Sequence, residues 1–489
     1  MFAKPECKLD KSLQNTTVTT QSEQIRKINS VYNIDKLDRI DNEISYAEFF
    51  QRYLLENRPC IFSSRFTDSW KSRKEWVDET GCPNLFFLDK CFGKASVPVA
   101  DCGKEEYSSH PKESMTLTSY IEYLKDKKEK GQNSDERCLY LKDWHFTKAF
   151  PDYKAYVTPL YFRSDWMNEF WDSQNSIDDD YRFVYIGPKG SWTPFHADVF
   201  HSFSWSANIC GRKKWIFFPP GEEVYLRNRF GQLAYDVTSS GLKDQAQFPN
   251  YCKLTRQIEV IQEPGEIIFV PSGWYHQVFN MEDTISINHN WLNGCNVDMC
   301  WEHVKQSLAS VKQEIEDCRG MDEWEERCQL ILKANSGIDY KDFFKFMNFI
   351  AVNRFAMLER LTPLLKHEAL SNPETEAASQ TLNDSKSNVQ LKHSESCICS
   401  QMSDIQKQLG EKTDGGLSAK IFSRCIVDEQ NECLFNREHL LFDLLQVKCI
   451  LQDMKDNPDF QCVKLEDCPY SLDRLISKIE SYRCDYEEK

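Results

Sequence analysis

Short runs of alternating apolar and polar residues, interrupted by glycine and proline, fill the middle of this 489-residue chain. In residues 181–215, apolar side chains such as Phe183, Tyr185 and Trp215 alternate with polar ones, and Gly187 is followed directly by a proline. Alternation predicts strands with one buried face, and the Gly-Pro step predicts a turn. The stretch therefore predicts strand, turn, strand, loop and strand.

A second β-rich stretch covers residues 263–293. A Pro-Gly turn precedes an apolar strand at 267–270, a Pro-Ser-Gly turn follows it, and His276 stands at the start of the next strand. The run TISINHNW then alternates strictly, so one face of its strand carries small polar groups. These groups are Thr284, Ser286, Asn288 and Asn290, with Ile285, Ile287, His289 and Trp291 on the other face. Such a polar row is typical of the lining of a wet cavity.

Apolar residues recur at helical spacing on both sides of the β-rich part, at 44–57 and 115–130 before it and through 296–366 after it. The spacing of strands and turns predicts a mostly β fold with flanking helices (α+β). Its core would be a double-stranded β-helix, or jelly roll, followed by a helical C-terminal region.

The same patterns predict the domain organisation. We expect a flexible N-terminus at 1–35, a main domain at 36–295, a helical cap at 296–366, a disordered linker at 367–416 and a short helical tail of unassigned role at 417–489. Within the main domain, a helix-and-strand lead-in at 36–135 precedes a β core over about 136–295. The long insertion at 221–262 is either a functional lid or a surface excursion, and both interpretations stay open.

Composition excludes several classes of protein. The net charge of −16 does not favour direct nucleic-acid binding, which needs a basic face. No apolar run reaches membrane-spanning length and the N-terminus has no apolar signal segment, so we expect no membrane association. The 20 cysteines are too dilute for a disulfide scaffold, which favours reduced thiols in the cytoplasm, with the nucleus as the alternative. Cys397 and Cys399 lack a second pair at zinc-finger spacing and are interpreted as ordinary thiols, with metal binding as the open alternative. The sequence does not determine the oligomeric state.

The motif that carries chemistry in the first stretch is His196-Ala197-Asp198. Residues i and i+2 of a strand project from the same face, so this imidazole and this carboxylate enter one space. Together they make two thirds of the 2-His-1-carboxylate set that holds non-haem Fe(II). His276 is the candidate third ligand, and we expect it to approach from the opposite side of a closed β-structure. A zinc site is an alternative use of the same three donors.

Several motifs resemble those of the Jumonji-C family of Fe(II)- and 2-oxoglutarate-dependent oxygenases; they are LYLKDWHF, SDWMNEFW, GSWTPFHAD, GRKKW, VPSGWYHQV and TISINHNW. The resemblance covers about residues 40–300 and is sharpest at 181–215 and 263–293.

The resemblance implies a role for individual residues. His196, Asp198 and His276 would bind the iron. Lys213 would pair with the distal carboxylate of 2-oxoglutarate, the cosubstrate. Further cosubstrate contacts would come from Thr193, Asn290 and Tyr140.

One departure from the family pattern is Ser206, which stands where the family often has asparagine. Asn208 would face the same way if the strand is regular, and it is the candidate substitute. Asn288, in the polar row, is a further candidate contact.

Lys213 lies between Arg212 and Lys214, and a basic cluster of this kind is usually a solvated surface. Strand alternation nevertheless places Lys213 on the face of Trp215 and Ile209, pointing inward, with its two basic neighbours pointing outward. We therefore favour the cosubstrate role for Lys213.

The resemblance implies a protein hydroxylase that uses Fe(II), 2-oxoglutarate and O2 and releases succinate and CO2. It implies in particular a lysyl hydroxylase whose protein partner is the eukaryotic translation termination factor. A histone lysine demethylase of the same family is one alternative. A cupin-like scaffold that binds partners without catalysis is another.

Overall fold

The computed structural model describes residues 36–130, 137–174, 180–370, 437–465 and 468–487. The chain divides into two compact units, one of Met1–Arg354 with Glu438–Lys489 and one of Phe355–Arg437. The predicted N-terminal segment and most of the predicted linker, with Cys397 and Cys399, lie outside the described residues.

The strands of the first unit form two sheets. They are β1 (Asp38–Ile40), β2 (Cys60–Phe62), β3 (Ser96–Asp101), β4 (Lys112–Thr116), β5 (Leu139–Trp144), β6 (Arg182–Gly187), β7 (Trp192–His196), β8 (Phe203–Cys210), β9 (Lys213–Phe218), β10 (Ile258–Gln262), β11 (Ile267–Val270), β12 (Tyr275–Asn280) and β13 (Thr284–Trp291). The larger sheet has the order β1-β2-β11-β8-β13-β6-β5-β3-β4, and the smaller sheet has the order β10-β9-β12-β7.

From β6 onward the chain passes back and forth between the sheets. β6, β8, β11 and β13 lie side by side in the larger sheet, while β7, β9, β10 and β12 make up the smaller one. Neighbours within each group pair antiparallel. This arrangement is a double-stranded β-helix, so the predicted mostly β fold with a jelly-roll core is confirmed. The remaining strands, β1 to β5, extend the larger sheet at both edges.

Gly211 connects β8 in the larger sheet to β9 in the smaller one. Its φ of +73° favours glycine, and a Cβ there would lie 2.2 Å from the Asp283 carbonyl oxygen. The stretch 181–215 therefore reaches into four strands, not the three predicted. The prediction that Ile209 and Lys213 share a face is wrong, because Ile209 packs into the core of the larger sheet while Lys213 begins β9.

Two apolar clusters lie on the two faces of the larger sheet. On its outer face, Trp205, Ile285 and Ile287 pack with the residues of the lead-in helices. On its inner face, Ile268 packs against Trp215 of the smaller sheet, in the space between the sheets. Successive residues of a strand face opposite sides of the sheet. The polar residues that alternate with Trp205, Ile285 and Ile287 along β8 and β13 therefore point into the barrel interior.

The insertion between β9 and β10 covers the outer face of the smaller sheet. It contains short 3₁₀ turns at Glu223–Leu226, Ser240–Lys243 and Tyr251–Lys253. Its Leu226 and Leu242 are buried against Phe218 of β9. Burying a leucine side chain contributes about 1.5–3 kcal/mol, so this part of the insertion belongs to the folded core of the barrel.

Helices flank the barrel on both sides in sequence. They are α1 (Tyr46–Phe49), followed by a π-helical turn (Phe50–Leu55), α2 (Lys71–Glu75), α3 (Leu85–Phe92), α4 (Leu117–Lys130), α5 (Phe146–Ala149), α6 (Trp166–Ser173), α7 (Val297–Glu314), α8 (Trp324–Ser336), α9 (Tyr340–Leu370), α10 (Arg437–Asp456), α11 (Pro458–Gln461) and α12 (Leu472–Glu487). Among the described residues, no helix has both the length and the apolar content needed to span a membrane.

Within the first unit, a buried charge network connects helix α10 with Arg354 of α9 and with α6. Asp443 accepts hydrogen bonds from Arg354 Nε at 2.7 Å and from Trp166 Nε1 at 3.2 Å. Arg354 also pairs with Glu169 of α6 at 3.0 Å, and its side chain is fully buried. Removing one partner of such a network leaves an uncompensated buried charge, so the network fixes α10 in place.

Candidate metal and cosubstrate site

His196, Asp198 and His276 come together in the barrel, with one ligand atom from each lying within 4.8 Å of the others. His196 ends β7, and Asp198 follows in an extended conformation (φ −62°, ψ 152°) that continues the alternation of the strand. His276 lies directly opposite His196 on the neighbouring strand β12, and the ring centroids are 4.4 Å apart. The expectation that His276 approaches from the opposite side of the barrel is wrong, because antiparallel pairing makes the two histidines cross-strand neighbours.

Backbone carbonyls orient both imidazoles. His196 Nδ1 lies 2.7 Å from the Pro194 carbonyl oxygen, and His276 Nδ1 lies 3.0 Å from that of Trp274. A hydrogen bond from Nδ1–H to a carbonyl leaves Nε2 unprotonated and available to a metal. Burial and the neighbouring His276 lower the pKa of His196 to about 3, so this imidazole is neutral at physiological pH, as metal binding requires.

The carboxylate of the site is held by a serine. Ser204 donates a hydrogen bond from Oγ to Asp198 Oδ2 at 2.7 Å. The other carboxylate oxygen is left for a metal ion. Two imidazoles and one carboxylate on one side of an ion leave its remaining positions open.

Lys213 is buried and points into the barrel interior. It is 2% exposed, and its Nζ donates to Ser286 Oγ of β13 at 2.7 Å. Burial and the positive charge of Lys142 lower the pKa of Lys213 to about 7. Its neighbours point outward, since Lys214 pairs with Glu259 at 2.7 Å and Arg212 pairs with a glutamate on the surface. The predicted alternation across residues 212–214 is therefore observed.

The predicted polar row of β13 faces the same interior. Ser286 lies opposite Tyr185 of β6, and Asn288 donates to Ser286 Oγ at 3.2 Å. Asn290 donates to Ser202 Oγ at 3.1 Å. The alternate residue Ile287 belongs to the core behind the sheet.

Ser206 and Asn208 differ in what they offer to a ligand. Ser206 lies opposite Asn288, and its buried Oγ has no hydrogen-bond partner among the described residues. The Asn208 side chain instead donates to the Gly211 carbonyl oxygen at 2.6 Å. The Asn208 amide thus serves the turn between β8 and β9, while the Ser206 hydroxyl remains available.

Thr193 and Tyr140 reach the interior from different strands. Thr193 lies opposite Val278 of β12, whose side chain is part of the interior cluster. Residues opposite each other in a sheet share a face, so Thr193 also faces inward. Tyr140 of β5 is 2% exposed and packs edge-on against Tyr185, with ring centroids 6.0 Å apart. Burial raises the pKa of Tyr140, which keeps its hydroxyl protonated.

The contacts that three residues make in this site were not predicted from the sequence. Ser204 holds Asp198, Ser286 holds Lys213, and Lys142 is a second lysine on the interior face of β5. In the sequence, the segments Ser204-Trp205-Ser206 and Tyr140-Leu141-Lys142 indicate that the first and third residue of each share one face of a strand. Such a pattern becomes informative once it is known which face of each strand turns inward.

Comparison with known proteins agrees with this geometry. A family model described as a cupin-like domain matches residues 46–296. The chain is 51% identical over 354 residues to 2-oxoglutarate and iron-dependent oxygenase JMJD4 of Gallus gallus, which spans 72% of this chain and 82% of the relative. It is 53% identical over 320 residues to the protein of the same name from Danio rerio, which spans 65% of this chain and 75% of the relative.

The chain belongs to the Jumonji-C family of iron- and 2-oxoglutarate-dependent oxygenases. Another relative is the arginine-specific demethylase JMJ20 of Arabidopsis thaliana, 42% identical over 355 residues, which span 69% of this chain and 75% of the relative. As a Jumonji-C oxygenase the protein uses Fe(II), 2-oxoglutarate and O2.

The residues of this oxygenase fit those groups. The three converging donors match the ligand preference of Fe(II). The buried hydroxyls of Ser206 and Thr284 have no partner among the described residues, and such atoms are normally satisfied by a bound polar group. Lys213 adds a buried cation, which a carboxylate would compensate.

Proposed function

We propose that this oxygenase hydroxylates a lysine side chain of a protein, and that its partner is the eukaryotic translation termination factor. The observation that carries the oxygenase chemistry is the convergence of His196, Asp198 and His276 in a barrel that also buries Lys213. The assignment of the substrate is based on the resemblance to the family in the motifs of residues 181–215 and 263–293.

In this proposal the iron is held by His196 Nε2, His276 Nε2 and one oxygen of Asp198. When bound, the iron and 2-oxoglutarate supply the oxidising power, with one oxygen atom of O2 going to the substrate and the other to succinate as CO2 leaves. The chain contributes binding, orientation and a shielded interior. Ser204 and the two backbone carbonyls keep the three donors aimed at one point.

The cosubstrate is oriented by groups from five strands. Lys213 pairs with the distal carboxylate, and Thr193, Tyr140 and Asn290 supply a hydroxyl, a phenol and an amide around it. Ser206 takes the place that asparagine often has in the family. A buried ammonium gives a strong charge-assisted contact to a carboxylate.

A second candidate function is protein demethylation. The Arabidopsis thaliana relative is named an arginine-specific demethylase. Oxidation of an N-methyl carbon uses the same iron chemistry, and the unstable product releases formaldehyde. A demethylase acting on methylated lysine or arginine therefore needs the same site but a different substrate.

Mass spectrometry of the reacted substrate distinguishes the two functions. The full-length protein, Fe(II), 2-oxoglutarate and O2 are incubated with the termination factor, while succinate is measured in parallel. Lysyl hydroxylation adds one oxygen atom to a lysine, whereas demethylation removes a methyl group from a methylated peptide. The Asp198→Ala variant, which lacks a metal donor, should yield neither product. Succinate formation coupled only to methyl loss would overturn the lysyl hydroxylase proposal.

We further propose the cytoplasm as the compartment of this reaction. Translation factors act there, and cysteines across the described residues, from Cys60 to Cys462, are free thiols. Fractionation of cells that express the protein would test this placement, and a purely nuclear signal would contradict it.

A further inference from the structure

A β-bulge lies in β5 beside the site. Between its pairings at Leu141 and Trp144, β5 has one residue more than the facing strand β6, so Lys142 and Asp143 together oppose Tyr185. Asp143 has a left-handed φ of +59°. A bulge redirects side chains and is frequent next to active sites. Here it turns two consecutive charged residues toward the Tyr185 side of the strand.

Lys142 is the second buried lysine of the barrel interior. It is 7% exposed, and its Nζ lies 5.7 Å from the ring centroid of Tyr140 and 5.9 Å from that of Tyr185. Tyr140 and Lys142 are two residues apart on one strand and share its inner face. Among the described residues, no carboxylate lies within ion-pair distance of this ammonium and no hydrogen-bond acceptor is assigned to it, whereas Lys213 donates to Ser286.

Asp143, the nearest acid in sequence, is already occupied. The Tyr185 hydroxyl donates to Asp143 Oδ1 at 2.6 Å, and Lys112 forms an ion pair with the other carboxylate oxygen. Burial raises the pKa of Asp143, and the charges of Lys112 and Lys142 outweigh that effect and lower it below its ordinary value. The carboxylate is therefore ionised and forms its ion pair with Lys112, and among the described residues no carboxylate forms an ion pair with Lys142.

Lys142 lies close to the cosubstrate anchor Lys213. Its ammonium is 5.9 Å from the ring centroid of Tyr185, which lies opposite Ser286, the acceptor of the Lys213 hydrogen bond. Burial and the charge of Lys142 both lower the pKa of Lys213. Two buried cations that repel each other are costly without an anion between them. The ligand that fits is a dianion whose carboxylates reach from the triad toward Lys213.

We propose that Lys142 is a second cationic contact for 2-oxoglutarate, donating a charge-assisted hydrogen bond to a carboxylate oxygen while Lys213 holds the distal carboxylate. This inference rests on the cosubstrate role proposed for Lys213. An acidic side chain of the protein substrate is the competing occupant. The cosubstrate is favoured because Lys142 is nearly inaccessible and is flanked by the inward-facing ring of Tyr140.

The test compares three methionine variants, which keep side-chain length while removing the charge. Lys142→Met tests this inference, and Lys213→Met tests the proposed function itself. Lys112→Met is the control, since Lys112 is the more exposed lysine that pairs with Asp143. Full-length protein is loaded with Mn(II) under oxygen-free conditions, and 2-oxoglutarate binding is measured by titration calorimetry. Circular dichroism and thermal unfolding check that each variant is folded, and Lys142→Gln replaces Lys142→Met if the latter does not fold.

Losing one charge-assisted contact in a shielded site should weaken 2-oxoglutarate binding by about tenfold to a hundredfold in Lys142→Met. Lys112→Met should change it by less than about twofold, since exposed charges contribute little. Unchanged binding in Lys142→Met together with weakened binding in Lys213→Met would overturn this inference alone. If the Michaelis constant for the protein substrate then rose instead, the cation would serve the substrate. Unchanged binding in both variants would overturn the proposed anchor as well.

Discussion

Lys213 provides the sharpest test of the proposed site, because its two basic neighbours point the other way. In Lys213→Met the ammonium that donates to Ser286 is lost while the side-chain length is kept. In the matched variant Lys214→Met, an outward lysine that pairs with Glu259 is lost from the same strand. The two substitutions remove one positive charge each, one residue apart, so they differ only in the direction of the side chain.

The expected magnitude follows from the burial of Lys213, which is 2% exposed. A hydrogen bond to a charged group in such an environment contributes about 1.5–3 kcal/mol. At about 1.4 kcal/mol per tenfold change, the dissociation constant for 2-oxoglutarate should rise by about tenfold to a hundredfold in Lys213→Met. The exposed Lys214–Glu259 pair contributes at most about 1 kcal/mol to stability and should not affect binding.

The assay is calorimetric titration of 2-oxoglutarate into Mn(II)-loaded protein without oxygen, followed by succinate formation with Fe(II) and O2. It should be run below pH 7, where Lys213 is protonated, since its pKa is about 7. Metal content measured on each variant shows that the triad is intact. Equal dissociation constants for the two variants, or an effect confined to Lys214→Met, would refute the role assigned to Lys213.

Three further predictions concern the same framework. Burial lowers the pKa of Lys213 to about 7, and a bound carboxylate favours its charged form. The affinity for 2-oxoglutarate should therefore be highest below that pH and fall as the pH rises above it. Calorimetry across this pH range should show this fall for the unsubstituted protein and a flat profile for Lys213→Met. Gly211→Ala should lower the free energy of unfolding in urea by more than Gly190→Ala, because both glycines have positive φ but only at Gly211 would the new Cβ collide with backbone, while around Gly190 there is open space. Arg354→Met should lower the free energy of unfolding by about 3–5 kcal/mol, since it leaves Asp443 as an unpaired buried charge, and adding Asp443→Leu should recover part of that loss in the same denaturation experiment.

Local pattern was sufficient for much of the fold. Alternation in TISINHNW correctly divided β13 into a polar face toward the interior and an apolar face toward the core. The same reasoning turned Lys213 inward and Lys214 outward. These predictions succeed because the side-chain period of a strand is a property of the backbone, and one buried face fixes its direction.

The sequence by itself thus determined where β-strands are concentrated, which residues within one strand share a face and which residue types are able to hold a metal, because these depend on neighbours along the chain. Only the tertiary structure decided that β8 and β9 lie in different sheets, that His276 stands beside His196, and that Lys142 is buried without an ion-pair partner in the described part of the chain. Each of those facts depends on register between strands distant in sequence, on the bulge in β5 and on the turn at Gly211. Such long-range pairings are set by packing of the whole barrel, and a local pattern contains no record of them.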